Sequence, residues 1–317
     1  LAGFCQWSDT LRAPRLWSPE SPYLYHIHSE IRDAAGRLLD TYHTPLGFRW
    51  FAWNYDDNTL SVNGKKIHIH GTNRHQEFPW LGDAMPQWLT ERDMLDIRYG
   101  MNTNFMRTAH YPHMPAGYDF NDRHGIITVE EVPNNKAIDF DREVQEHNMR
   151  EMVRRDRNHP SLLTWTPMNE EWWPDNTQFP RFASDVYDLT GRLDPTRPVN
   201  TVSGGAVVRT DIWAVHNYEQ NPAKLKEKIF SDGTFFHPRL RTTRDQTRNI
   251  GFNEVKATAN YAWPQYDGSC PYLVDEFGGI KWVKDQEKQA TDSQTESWGY
   301  GQAPRTLEEF YTRLEGQ

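Results

Sequence analysis

The stretch Arg155-Asp156-Arg157-Asn158-His159-Pro160-Ser161-Leu162-Leu163-Thr164-Trp165-Thr166-Pro167-Met168-Asn169-Glu170-Glu171 decides the fold. Before it, about Arg142–Arg157 reads as a helix with Val144, Met152 and Val153 among its apolar positions. The run Leu162–Met168 then reads as a buried strand, because it is continuous, apolar and short. It breaks into Asn169-Glu170-Glu171-Trp172-Trp173. Helix, buried strand and polar strand end form the repeating unit of an α/β fold with a parallel sheet.

The same unit recurs on both sides. Strand-like runs occur at Lys66–His70, Thr103–Thr108, Gly125–Val132, Val199–Ser203, Asp211–His216 and Tyr272–Phe277. A helix over Thr90–Tyr99 is expected between the first two, with Thr90 as N-cap, Asp93 at the capping-box position and Gly100 as its stop. Another helix is expected at Pro222–Phe230, inside a long polar stretch. Such alternation over most of the chain predicts a TIM-type (β/α)8 barrel, with a doubly wound sheet as the alternative. No strand is followed by a Gly-rich phosphate loop, so nucleotide binding has no support. Residues 1–60 read as β: the runs Tyr23–Ile31 and Leu38–Phe51 flank an Asp33-Ala34-Ala35-Gly36 turn, a hairpin that suits the tail of a sandwich. The chain therefore divides into residues 1–60 and a barrel over 61–317. No apolar strand follows Gly279; a helix-like run, Leu307–Leu314, comes last. The expectation is a barrel lacking its eighth strand, open between strands one and seven, in a piece of a longer protein that is marginally stable and little active alone.

Composition narrows the function. The formal net charge is −9, which argues against nucleic acid as partner. No run of 18 apolar residues is present, so no spanning helix is expected. Cys5 and Cys270 cannot build a disulfide framework. Aromatic residues reach 13%, with 13 Trp, which suits a cleft that meets the flat faces of sugar rings, although Trp also fills cores.

In a barrel, function collects at the C-terminal ends of the strands. Those ends read Gly71-Thr72-Asn73-Arg74-His75, Arg107-Thr108-Ala109-His110-Tyr111-Pro112, Glu130-Glu131-Val132-Pro133, Asn169-Glu170-Glu171, His216-Asn217-Tyr218 and Asp275-Glu276-Phe277-Gly278-Gly279. Glu170 and Glu276 end strands four and seven, on opposite sides of the mouth. Glycoside hydrolysis needs such a pair, one carboxyl to protonate the leaving oxygen and one to attack carbon or activate water. A lone strand-end Glu is more often a solvated loop carboxylate; the pairing gives these two their weight. Asn169 is placed to hold a sugar hydroxyl.

The run from Asn63-Gly64-Lys65 to Gly71-Thr72-Asn73-Arg74-His75 resembles the first barrel strand of glycoside hydrolase family 2, which includes β-galactosidases and β-glucuronidases. Arg107 to Pro112 resembles its second-strand motif. Arg155 to Ser161 with Trp165 and Asn169-Glu170 resembles its acid/base signature, and Val274-Asp275-Glu276-Phe277-Gly278-Gly279 its nucleophile strand. Trp17-Ser18-Pro19-Glu20-Ser21-Pro22-Tyr23-Leu24-Tyr25 and Gly47-Phe48-Arg49 resemble the immunoglobulin-like β-sandwich domain that precedes the barrel. The resemblance implies a retaining exo-β-glycosidase acting by double displacement, with Glu170 as general acid/base and Glu276 as nucleophile. A β-galactosidase is expected first, a β-glucuronidase second and a non-catalytic carbohydrate-binding relic third. It further implies that Arg74 and Arg107 hold Glu276 ionised, that Tyr218 touches the nucleophile, that His110 contacts sugar hydroxyls and that Trp298 walls the glycone site. The expected partner is a β-glycoside; no cofactor is expected.

Some features depart from the family or carry no chemistry. Family β-galactosidases with Mg²⁺ near the acid/base carry a Glu and a His after strand three; here Val132-Pro133-Asn134-Asn135-Lys136 has no His, so no metal is expected. Asn134-Asn135-Lys136 only superficially resembles the carboxylate clamp of β-glucuronidases, which lies after the nucleophile. His68, His70 and His75 are expected to be buried and hydrogen-bonded rather than metal ligands. Asp156, Arg157, Asn158 and His159 fall at the barrel bottom, where residues serve stability. Glu130 and Glu171 are expected either at the rim or just behind the residues that touch substrate, Trp172 and Trp173 either over the mouth or against an aglycone, and Cys270 buried and inert.

Overall fold

A computed structural model of the chain describes residues 6, 8–54, 56–133, 142–171, 178–231, 234–235, 270–283, 286 and 299–317. The hairpin comes first: β1 (Tyr25–Arg32) pairs antiparallel with β2 (Leu38–Leu46), and Gly36 at φ 81° closes the turn between them. A meander follows, β3 (Phe51–Asn54), β4 (Thr59–Val62) and β5 (Lys65–Ile67), all antiparallel. Alternation in β4 buries Leu60 and Val62.

The parallel strands begin with β6 (Gly71–Arg74), not with Lys66–His70, which was the expected first strand. Lys65–Ile67 belongs to the meander instead. A side chain at Gly71 would sit 1.8 Å from the Phe105 carbonyl oxygen, so glycine is what admits β6 beside its neighbour. His68 and His70 are exposed, contrary to the expected burial, and His75 is also exposed.

Helix α1 (Gln87–Leu95) follows and runs into a wider turn over Asp96–Gly100. Thr90 is therefore inside the helix rather than its N-cap; Pro86 occupies that position, and the Thr90 hydroxyl faces Met114 Sδ. After β7 (Phe105–Thr108) comes α2 (Pro115–His124), opened by a proline that needs no N–H partner and closed by Gly125 at φ 73°. Next are β8 (Ile127–Glu131), α3 (Arg142–Asp156), β9 (Leu162–Thr166) and β10 (Met168–Asn169). Helix α4 (Phe179–Leu193) buries Phe179, Phe182, Ala183, Val186 and Leu189 at helical spacing. The chain continues through β11 (Val202–Ser203), β12 (Trp213–Asn217), α5 (Pro222–Ile229) and a short hairpin of β13 (Phe230–Ser231) and β14 (Thr234–Phe235). It ends with β15 (Tyr272–Phe277) and α6 (Leu307–Gly316), whose N-cap is Thr306.

Strands β6-β7-β8-β9 form one parallel sheet, β10 pairs with β11 and β12 with β15, all parallel. Trp165 bridges to Val199, and Gly204 N–H donates to the Ala214 carbonyl, carrying the strand succession from β9 to β12. Among the described residues no backbone ladder joins β6 to β15. A side-chain amide spans that gap, Asn73 donating to the Asp275 carbonyl at 3.0 Å, and from the turn between β3 and β4 Asn58 donates to the Tyr272 carbonyl and accepts from its N–H.

The two ends of the strands differ. At the start of β7, β8 and β9, Phe105, Ile127 and Leu163 pack with Trp17, Leu60 and Val62. Arg49 donates to the carbonyls of Pro160 and Leu162, and Gly47 lies so close to Pro160 that a methyl group there would be 2.6 Å from its ring. His159 meets Asp122 at 2.6 Å and Arg155 clamps Asp156, so this motif ties the bottom of the fold together. Tyr118, Met149, Met152, Val153, Leu162 and Trp165 fill the layer between sheet and helices. Each such side chain contributes about 1.5–3 kcal/mol. The opposite strand ends hold the charge.

Candidate functional site

Arg107 leaves the end of β7 with its side chain fully buried. One terminal nitrogen donates to Glu276 Oε1 at 2.6 Å. The other lies 2.5 Å from Glu131 Oε2 and donates to Asn169 Oδ1 at 2.7 Å. Its Nε lies 3.8 Å from Asp275 Oδ2. Burial alone would push this guanidinium toward neutrality, but Glu131, Asp275 and Glu276 raise its pKa above the usual arginine range. Its planar fork is suited to serving several acceptors at once.

Asp275 and Glu276 are sequence neighbours, and neighbours on a regular strand face opposite ways. Here the pairing of β12 with β15 slips: Val215 opposes Val274, while His216 opposes Glu276, leaving Asp275 as the extra residue. The bulge brings both carboxylates to the same cluster. Asp275 is buried yet its carboxyl is lowered below its usual range, because His216, Arg107 and the Ser203 hydroxyl outweigh desolvation.

Glu170 follows β10 in the left-handed region, φ 49°, a conformation uncommon outside glycine and often found at functional positions. Its N–H donates to the Ser203 carbonyl, fixing the turn. Glu170 Oε1 lies 2.8 Å from His216 Nδ1 and 3.5 Å from the Tyr218 hydroxyl. The Tyr218 hydroxyl also donates to Glu276 Oε2. Burial, then the charge of Glu276, raises the Tyr218 phenol well above its usual range. Tyr300 stacks on Tyr218 at 3.7 Å. His110 sits 2.9 Å from Glu131 Oε1 and 3.8 Å from Glu276 Oε1.

Facing atoms of Glu170, His216 and Glu276 all lie within 4.8 Å of one another. Their near atoms already meet hydrogen-bonding partners, so the cluster reads as one built to share protons. One carboxylate is held by a guanidinium and a phenol, the other by an imidazole. The two carboxyl groups thus have unlike partners.

Of the expected site residues, Glu170, Glu276, Asn169, His110, Tyr218 and Arg107 come together. Arg74 does not: it turns toward the helices, pairing with Asp93 at 2.5 Å and meeting His113 at 3.3 Å. Trp298 lies outside the described residues, as do Trp172, Trp173 and Asn134-Asn135-Lys136. Glu130 and Glu171 are buried, which removes the rim and leaves the other of their two expected places; Glu130 accepts from Tyr118 of α2. Cys270 is half-buried beside β12 and β15. Sequence reasoning gave no role to Glu131, Ser203, His216 or Asp275. Position at a strand end was the available signal for Glu131, His216 and Asp275; nothing marked Ser203.

Residues 54–270 match the family model described as "Glycosyl hydrolases family 2, TIM barrel domain", and residues 6–49 the one described as "Glycosyl hydrolases family 2". A β-galactosidase from Thermoanaerobacter pseudethanolicus is 32% identical over 191 residues, covering 60% of this chain and 25% of that protein. A β-galactosidase from Thermoanaerobacterium thermosulfurigenes is 28% identical over 274 residues, covering 86% and 33%. The chain thus spans a quarter to a third of the length of these relatives. Among solved structures, a β-glucuronidase of Bacteroides uniformis superposes with a TM-score of 0.72 at 23% identity, covering 96% of this chain and 34% of that one, a likeness of fold. A second from that organism, β-glucuronidase 3, is 26% identical with a TM-score of 0.60, covering 71% and 31%.

Proposed function

The chain belongs to glycoside hydrolase family 2, and from that premise we propose that it serves as the catalytic part of a retaining, exo-acting β-glycosidase, with Glu276 as nucleophile and Glu170 as general acid/base. The observation that carries this reading is that facing carboxyl oxygens of Glu170 and Glu276, from the ends of β10 and β15, lie within 4.8 Å of each other in unlike surroundings. Retaining enzymes hold their carboxyl groups about 5–5.5 Å apart, whereas inverting ones leave room for a water between them.

In the first step Glu276 attacks the anomeric carbon while Glu170 gives its proton to the departing glycosidic oxygen. The C–O bond to the aglycone breaks and a glycosyl ester of Glu276 forms. In the second step Glu170, now a carboxylate, takes a proton from water; the water oxygen bonds to the anomeric carbon and Glu276 is released. Arg107 and Tyr218 donate to Glu276 and so fix the position of its carboxylate. Asn169 and His110 lie beside this cluster, where they are suited to holding sugar hydroxyls.

The favoured glycone is a β-galactoside, supported by the two β-galactosidase relatives. A β-glucuronoside is the second reading, supported by the solved β-glucuronidases. A panel of nitrophenyl glycosides decides between them, and absence of turnover across the panel would leave the binding relic. Following the first-formed anomer by NMR should show retention. Glu276→Ala should abolish turnover. Glu170→Ala should harm poor leaving groups more than activated ones, since those need the proton; equal loss on both would remove Glu170 from the acid role.

A further inference from the structure

The double displacement has no step for His216, yet the site is built around it. Its imidazole is wholly buried at the end of β12. Gly204 opposite it makes the space: a side chain there would sit 2.3 Å from the His216 ring. The charged and titratable groups around it come from each neighbouring element. Glu170, after β10, faces Nδ1 at 2.8 Å. Asp275 and Glu276 of β15 lie 3.4 and 3.5 Å from Nε2, and Tyr218 stands two residues on. Arg107 of β7 backs both β15 carboxylates. Ser203 of β11 supplies a hydroxyl 2.8 Å from Nε2.

These contacts fix the tautomer. The Ser203 hydroxyl donates its single hydrogen to Asp275 Oδ2 at 2.7 Å. Toward His216 it can then only accept, so Nε2 carries a hydrogen. The other ring nitrogen meets a carboxyl oxygen at hydrogen-bond distance, which requires one proton between them. Either a protonated Glu170 donates to a neutral imidazole, or an imidazolium donates to the Glu170 carboxylate.

We propose that Glu170 and His216 hold this proton in common, so that His216 is a positioning residue that keeps the acid/base loaded at pH values where an isolated carboxylic acid would be empty. The proposal rests on Glu170 being the acid/base. A proton with two sites is bound more tightly than a proton with either alone, and the pair titrates as a unit. The surroundings favour the charged ring: burial alone would lower the His216 pKa, but Asp275 and Glu170, with Glu276 beyond, push it up to about 9.

The test is His216→Gln in the intact protein, which keeps a donor toward Ser203 but cannot titrate. The alkaline limb of kcat/KM should move down by about one pH unit or more, so that the loss is about tenfold greater at pH 8.5 than at pH 6. The loss should be larger for an alkyl glycoside than for a dinitrophenyl glycoside. Ser203→Ala, which frees the tautomer, should shift the limb the same way by less. An unmoved limb, with a loss uniform across pH and leaving group, would reduce His216 to scaffolding and overturn the proposal. NMR of ¹⁵N-histidine-labelled protein tests the shared proton without turnover. Nε2 should keep its hydrogen from pH 5 to 8, and Glu170→Gln should lower the pH at which Nδ1 titrates. If that substitution leaves the Nδ1 titration in place, no proton is shared, whatever the kinetics show. A protein that cleaves no glycoside but passes the NMR test would refute the proposed function and leave the pairing standing.

Discussion

At the scale of single residues, Arg107 organises the site more than any carboxylate it meets. It holds Glu276, Glu131 and Asn169 through two terminal nitrogens, with no exposed surface. A lysine carries the same charge but lacks the fork, so Arg107→Lys cannot reach all three acceptors. Whichever acceptor it loses becomes a buried polar group without its donor, costing about 1–3 kcal/mol. Catalysis should suffer more than folding, because Glu276 and Asn169 would lose their fixed geometry. We expect kcat/KM to fall about 10²–10³-fold, the range seen when a preorganised site donor is removed, with a modest fall in Tm. A variant within threefold of the parent, measured on a nitrophenyl substrate, would show that the fork is dispensable. Residue identity made Arg107 legible in the sequence and misled about Arg74. Both are arginines at strand ends, but which way each side chain leaves its pleat is set by register. In β6 it is Asn73 that reaches toward β15, so Arg74, its neighbour, faces α1.

At the scale of elements, continuous apolar runs were readable because a strand buried on both faces needs them. The runs at Phe105, Ile127, Leu162 and Tyr272 all became parallel strands. What the pattern could not show is where a strand changes sheet or slips. Lys66–His70 alternates like a strand, but its register belongs to the meander, and the parallel sheet starts only where Gly71 permits close approach. The bulge at Asp275 likewise has no sequence signal, since it arises from how β15 meets β12. No helix was expected over Phe179–Leu193, although Phe179, Phe182, Ala183, Val186 and Leu189 recur at helical spacing. The approach of β15 to the meander is testable. Asn58 sits at φ 51° and uses its amide to donate to the Tyr272 carbonyl and accept from its N–H, standing in for a strand neighbour. Asn58→Gly keeps the backbone conformation and deletes both bonds; Asn58→Ala adds strain as well. Both should lower stability, by about 1–2 kcal/mol for Gly and more for Ala. Activity should fall in step, because Glu276 rides on the same strand. A Tm unchanged in the glycine variant would mean that β15 is held without this clamp.

At the scale of the whole molecule, the two strand ends divide the work. The start of the sheet is closed by Trp17, Leu60, Val62 and Arg49, and the far end concentrates charge that a core would otherwise exclude. Between them lies Glu130, wholly buried on the helix side of β8, accepting from Tyr118 and 3.7 Å from Arg155. Burial, and then the negative charge of Asp156, raises its carboxyl well above the usual range. The folded protein therefore holds the Glu130 proton more tightly than the unfolded chain does. Stability from this group is complete below the unfolded pKa, near 4.5, and is lost as pH rises toward the folded value, at about 1.4 kcal/mol per pH unit. Asp194 and Asp275 act in the opposite sense: their carboxyls are lowered, so what they contribute is present at neutral pH and lost in acid. The parent curve mixes these trends, but a single substitution separates them. Glu130→Gln keeps an acceptor for Tyr118 and removes the ionisation. The difference in Tm between variant and parent should be small at pH 5 and should grow in the variant's favour through pH 8. A difference that stays flat across that range, measured by scanning calorimetry, would mean that Glu130 ionises in the folded protein as readily as in the unfolded one.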